Sequence, residues 1–297
     1  MPTRGLFFAA VAIWGTTWIA ITVQIDAAAP EVGVPLRFTL AALAAAAWCR
    51  WRGIALALPW RTQRWLIALG AAGFCASYLL VYHAERYIVS GLVAVGYAAM
   101  PLVNMVAERG FFGTPLSRRV TAGGLLGLAG IALIFEPEFA RAATDARLMV
   151  GALLTALAVL ASSLANMVVL RNHRAGVDGW APLALAMGWG AAAGWVYAAA
   201  IGAPLAIRWS WPFALSLVYL ALAGSVLAFA AYYVVVGRIG TARAAYVGVM
   251  STVVALVIST LFEGYDWRWT TAVGILLAVA GNVMALQRKP RSVESGA

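Results

Sequence analysis

Ten mostly apolar stretches follow one another along the chain: 5–23, 32–49, 65–83, 90–107, 119–135, 148–170, 180–201, 212–236, 242–262 and 270–287. A helix of about 20 such residues crosses the hydrocarbon core of a bilayer. A helix also satisfies its own backbone polar groups, which lipid will not do. Joints between the stretches are short, so no separate soluble domain fits. Only 11% of the 297 residues are charged, against 64% apolar, too little charge to coat a water-soluble surface. The first stretch runs through Trp14, Thr16, Thr17 and Trp18 without a cleavage-site pattern, and reads as a span rather than a leader. The expectation is an all-α membrane protein with ten transmembrane helices.

The net charge of +10 would fit a nucleic-acid partner if it were clustered. Instead it alternates with the joints. With the N-terminus in the cytoplasm, fifteen Lys and Arg fall on the cytoplasmic side (Arg4, Arg50, Arg52, Arg61, Arg64 and Arg109 among them) and five on the outer side. Arg37 is the one left, inside the second span. That bias places both termini in the cytoplasm and ends the chain in a short polar cytoplasmic tail. It explains the basic charge by membrane insertion and anionic lipid, without nucleic acid. Cys49 and Cys75 lie in apolar stretches and read as packing thiols.

The two halves resemble each other. Ala10-Val-Ala-Ile-Trp-Gly-Thr-Thr-Trp in span one parallels Ala156-Leu-Ala-Val-Leu-Ala-Ser-Ser-Leu in span six. Phe112-Gly113, Gly123 and Gly130 precede Glu263-Gly264, Gly274 and Gly281 by 151 residues. Shared apolar composition is the competing explanation, but it does not supply the glycine spacing. Each half holds an odd number of spans, so the second must sit inverted. The expectation is two inverted five-helix repeats, 1–145 and 146–297, with a site near the midplane between them.

Several motifs, taken in order, resemble the EamA-type branch of the drug/metabolite transporter superfamily. They are Trp14-Gly15, Pro35-Leu36-Arg37-Phe38, Pro101, Gly123 with Gly130, Arg238-Ile239-Gly240-Thr241-Ala242-Arg243-Ala244, and Gly274 with Gly281. The resemblance implies ten helices, inverted repeats and alternating-access carriage of small metabolites. Its narrower form points to export of aromatic and other neutral amino acids across a bacterial inner membrane. Departures are Gly113-Thr114 and Gly264-Tyr265, where the family often has Gly-Glu, and Met250-Ser251-Thr252, where it has a proline.

Polar groups inside a bilayer are costly unless they face protein or water, so those in spans are candidates for function. Span four carries Ser90, Tyr97, Pro101, Asn104 and Glu108 along one stripe, and Pro101 must free a carbonyl one turn back. A cavity wall is expected there, with a helix–helix polar seam as the alternative. Trp14, Thr17 and Trp18, Tyr78 and Tyr82, Ser162 and Asn166, and Tyr246, Met250 and Ser251 complete the candidate substrate-binding set. Gly96 and Pro101 are the candidate hinge. Aromatic faces with a few hydroxyls suit a mostly apolar ligand with polar ends.

Arg37 has two readings, a substrate-carboxylate anchor or structural pairing and snorkelling near Asp26 and Glu31. His83 with Glu85 reads as an exposed joint, with a proton relay as the alternative, and no buried carboxylate stands out. No catalytic constellation, metal-ligand spacing or cofactor motif is present, which argues against an enzyme. The internal repeat favours a pathway within one chain, hence a monomer with a small-molecule substrate in a lipid bilayer, over a channel built from an oligomer.

Overall fold

In the computed structural model the described residues are 2–114, 118–136, 146–239, 244, 246–265 and 267–286. Helices α1 (Thr3–Ala27), α2 (Pro30–Trp51), α3 (Trp60–Ala84) and α4 (Ser90–Phe112) lead into α5 (Arg118–Ile134). Helices α6 (Ala146–Arg174) and α7 (Trp180–Ala200) follow. Helix α8 runs through Trp211–Tyr219, Leu220–Leu227 and Ala228–Ile239, before α9 (Tyr246–Phe262) and α10 (Trp269–Leu286). Among the described residues the only non-helical pairing is an isolated antiparallel bridge, Ala28 to Ile207.

Helices α1 to α4 and α6 to α8 are long and apolar enough to cross a membrane; α5, α9 and α10 hold shorter apolar runs, Thr121–Ile134, Val247–Phe262 and Trp269–Gly281. The exterior is apolar as well. Along α6, Leu153, Leu157, Leu160 and Leu164 form a stripe about half exposed, a surface suited to lipid rather than water. The protein is a multi-pass helical membrane protein.

Some local structure in the first half of the chain recurs in the second. Gly113 after α4 and Gly264 after α9 both adopt φ +67°. Only glycine takes this left-handed cap cheaply, which is why both positions carry it. Helices α3 and α8 each contain a π-helical segment, Gly70–Ala76 and Leu220–Leu227. Helices α5 and α10 pack backbone to backbone through their glycines. A Cβ on Gly130 would lie 2.5 Å from the Gly274 carbonyl oxygen and Ala278 nitrogen, and one on Gly281 would lie 2.4 Å from the Gly123 carbonyl oxygen. These small-residue faces therefore close the bundle within one chain.

The two ends of the bundle differ. At one end Arg171 lies 4.5 Å from the Trp65 ring, Arg174 lies 4.4 Å from Phe112, and Trp48 packs on Trp180. At the other end Glu31 meets His83, the Arg208 N–H donates to the Ala27 carbonyl, and Ser90 meets Glu263. The joints rich in arginine and the joints rich in acids are thus gathered at opposite ends.

Candidate functional site

Between these ends lies a cavity of about 180 Å³. Trp14 and Trp18 face it from α1, Phe74 and Tyr78 from α3, Tyr97 from α4, and Phe229, Tyr232 and Tyr233 from α8. The rings brace one another edge-on. Trp18 stands 5.3 Å from Tyr97, Trp14 stands 5.2 Å from Phe229, and Phe229 stands 5.2 Å from Phe74. Such pairs hold rings in fixed planes better than aliphatic contacts do. Hydroxyls gather on one wall. Ser77 Oγ lies 2.9 Å from Tyr97 Oη and 2.5 Å from Ser162 Oγ, and Tyr97 Oη lies 3.2 Å from Ser162 Oγ. Asn166 Nδ2 donates to Asn104 Oδ1 at 3.4 Å. Among the described residues the lining carries no charged side chain.

Broken helices shape this chamber. Pro101 has no N–H, so α4 interrupts between Ser90–Tyr97 and Met100–Phe112. Around the break the N–H groups of Ala98, Ala99 and Leu102 reach back three residues instead of four. That leaves the Ala94 carbonyl without its usual partner, and Thr252 Oγ1 on α9 donates to it at 3.0 Å, sharing its proton with the Gly248 carbonyl a turn back at the same distance. In the π-helical segment of α8 the Gly224 carbonyl accepts from Trp14 Nε1 at 3.2 Å. Both carbonyls, Ala94 and Gly224, are met by a side chain from another helix, as suits a low-dielectric interior.

Trp14, Thr17, Trp18, Tyr78, Tyr97, Asn104, Ser162, Asn166, Ser251 and Pro101 all line the cavity. Three candidates do not. Tyr82 is fully buried beside it, Met250 turns to the exterior at 39% exposure, and Gly96 abuts Thr155, whose Cγ2 would lie 2.3 Å from an added Cβ. The Tyr246 side chain lies outside the described residues, as do positions 240–243 of the motif before α9. Sequence reasoning missed Ser77, Phe74, Phe229, Tyr232, Tyr233 and Thr252. Tyr232-Tyr233 could have been found, because adjacent tyrosines deep in an apolar span stand apart from an interfacial belt. A second cavity of about 310 Å³ lies toward His173, Asp178 and Trp180, and Leu69, Val169 and Tyr233 wall both.

Arg37 corrects the expectation of snorkelling or pairing near Asp26 and Glu31. It is 1% exposed. Its Nε donates to Ser225 Oγ in the α8 π-helical segment at 3.1 Å, and its guanidinium lies 4.7 Å from the Tyr78 ring and 5.3 Å from Phe38. Glu31 instead holds His83 at 2.9 Å. Glu85 corrects the expectation of an exposed joint. It is 8% exposed, and both of its carboxyl oxygens lack a hydrogen-bond partner among the described residues.

The geometry defines a multi-pass helical membrane protein enclosing a neutral, aromatic chamber. Residues 3–136 match the model of the EamA-like transporter family, a family of transporters rather than enzymes. Over 105 residues the chain is 30% identical to Protein PagO of Salmonella typhimurium, covering 35% of this chain and 34% of that protein. Over 112 residues it is 30% identical to an uncharacterized transporter in the trpA 3′ region of Buchnera aphidicola subsp. Schlechtendalia chinensis, covering 37% of each. The chain thus matches about a third of the length of these relatives. A solved crystal structure superposes with a TM-score of 0.69 at 19% identity, over 95% of this chain and 96% of that one, which establishes a shared fold.

Proposed function

We propose that the chain is a secondary carrier that moves aromatic and other neutral amino acids outward across a bacterial inner membrane by alternating access. The observation that carries this is the chamber itself: eight aromatic rings, a hydroxyl cluster and no charged lining residue. A substrate with net charge would lose its hydration there without a counter-charge. A zwitterion with a large apolar side chain finds rings for its body, hydroxyls for its carboxylate and aromatic faces for its ammonium.

The architecture that goes with this is ten spans in two inverted five-helix repeats, 1–145 and 146–297, acting as a monomer. The matched glycine caps, π-helical segments and α5–α10 glycine contacts support it. The arginine-rich end, with Trp65 and Arg171, is assigned to the cytoplasm by the positive-inside rule, and the end with Glu31 and Glu263 to the outside. Leu69, Val169 and Tyr233 then form the partition between the chamber and the cytoplasmic cavity.

The test is counterflow in proteoliposomes. Vesicles preloaded with unlabelled phenylalanine should transiently concentrate labelled phenylalanine, and uptake should saturate. Linear, unsaturable flux would rule out a carrier. Saturable counterflow of other metabolites but of no aromatic amino acid would overturn the substrate class alone.

A further inference from the structure

At the end of the bundle holding Glu31 and His83, a buried carboxyl group, Glu85, lies within reach of the charge of a half-buried one, Glu263. Glu263, after α9, is satisfied by donors: the Ser90 N–H at 3.2 Å, Ser90 Oγ at 2.5 Å and Ser259 Oγ. Glu85, after α3, has no donor on either oxygen although it is buried. Arg37, equally buried, has a complementary lack, since its Nη1 also has no partner among the described residues. An unpaired anion in such a place is expensive, and two neighbouring carboxyl groups do not both ionise readily.

We infer that Glu85 is a proton-binding site set between Glu263 and Arg37, and that its proton is linked through Arg37 to the Tyr78 wall of the chamber. With the proton on, Glu85 is neutral, Glu263 keeps its donors, and the Arg37 guanidinium rests over Tyr78 at 4.7 Å. When the proton leaves to water at this end, the new anion and the free Arg37 Nη1 attract. The guanidinium is then drawn off the ring that faces the substrate space. Burial first, then the charge of Glu263, pushes the Glu85 carboxyl well above the usual carboxylate range, and Arg37 opposes them. Among the described residues, the charged and titratable groups facing Glu85 are Glu263 from the α9 end, Arg37 from α2, Tyr82 from α3 and Tyr97 from α4, with the His83–Glu31 pair alongside. The consequence for transport rests on the carrier function proposed above; the proton site does not.

The experiment uses the full chain in lipid bilayers, titrated with no substrate present. Infrared difference spectra read the C=O stretch of a protonated carboxyl, and near-ultraviolet circular dichroism reads the Tyr78 environment. The expected result is a carboxyl band that persists above the ordinary carboxylate range and disappears in Glu85→Gln. Its midpoint should fall in Glu263→Gln, where a neighbouring negative charge is gone, and rise in Arg37→Gln. The tyrosine signal should change at the same midpoint and be missing in Tyr78→Phe. A wild-type band that is absent, or that survives in Glu85→Gln, overturns the site. If Glu85→Gln does not fold, an unmoved midpoint in Glu263→Gln overturns it instead. A tyrosine signal that ignores the titration overturns the link. Phenylalanine counterflow is measured on the same preparations: its absence beside a titrating Glu85 would sink the carrier function and leave the proton site standing.

Discussion

Thr252 on α9 donates its hydroxyl to the carbonyl of Ala94 on α4 across 3.0 Å, joining the two halves of the chain at the break that Pro101 creates. Ala94 has lost its usual partner because the Ala98 N–H bonds to Val95 instead. Thr252→Val keeps the shape and removes the donor. Interhelical hydrogen bonds of this kind contribute about 0.6–1.7 kcal/mol. Thermal unfolding in detergent should show that loss for Thr252→Val, while Thr252→Ser stays near wild type. Equal melting of all three would show that the bond does not hold the break.

The hydroxyl cluster of Ser77, Tyr97 and Ser162 should bind a polar end of the substrate. Tyr97→Phe leaves the ring on Trp18 and deletes only the oxygen. A net hydrogen bond of about 1 kcal/mol corresponds to roughly a five-fold rise in KM. Ser162→Ala should act in the same direction, and the double variant should lose less than the two losses combined, because the groups share one network. Competition by unlabelled phenylalanine in counterflow measures each. An unchanged KM in both single variants would place the substrate elsewhere.

Much of this was legible in the chain. Span lengths and joints come from apolar runs, and the α4 break comes from a proline that lacks a donor. The glycines of α5 and α10 announced close packing, though not which helix they met. What stayed hidden is what depends on distant partners. Asp26 and Glu31 stand near Arg37 in sequence, yet Arg37 meets Ser225 and Glu31 meets His83, because α8 and α3 are the helices packed there. Glu85 sits in a polar joint, Glu-Arg-Tyr, and nothing local reveals that the chain turns there beneath other helices. The π-helical segments leave no compositional mark, so the Trp14–Gly224 bond could not be anticipated.

The α5–α10 contact should be the least tolerant of added atoms. Gly130→Ala places a Cβ 2.5 Å from backbone atoms of Gly274 and Ala278, and Gly281→Ala places one 2.4 Å from the Gly123 carbonyl. Backbone does not yield as a flexible side-chain tip does, so each substitution should cost about 1–3 kcal/mol. Gly110→Ala is the control, since nothing lies within 4 Å of its added Cβ. A lowered melting temperature for the first two, and an unchanged or slightly raised one for the third, a helical position where Ala is favoured over Gly, is the expected pattern. If all three melt together, the glycine faces are not what closes the bundle.

Selectivity should turn on the missing charge in the chamber, and Asn104→Asp tests this with almost no change of shape. Asn166 Nδ2 already donates to Asn104 Oδ1, so an aspartate at 104 keeps that acceptor and adds a negative charge inside the chamber. Opposite charges about 4 Å apart attract by about 4 kcal/mol at an effective dielectric near 20. Stripping water from the incoming cation offsets most of it. A remainder of about 1.4 kcal/mol is a ten-fold change in binding. Wild-type counterflow of phenylalanine should therefore be inhibited by tryptophan and tyrosine, and hardly by aspartate or lysine. In Asn104→Asp, a cationic aromatic amine such as tyramine should gain about ten-fold over phenylalanine as inhibitor, with aspartate excluded further. If instead the variant folds and its inhibition profile matches wild type, residue 104 does not face the transported molecule, and the chamber is not the place where net charge is selected.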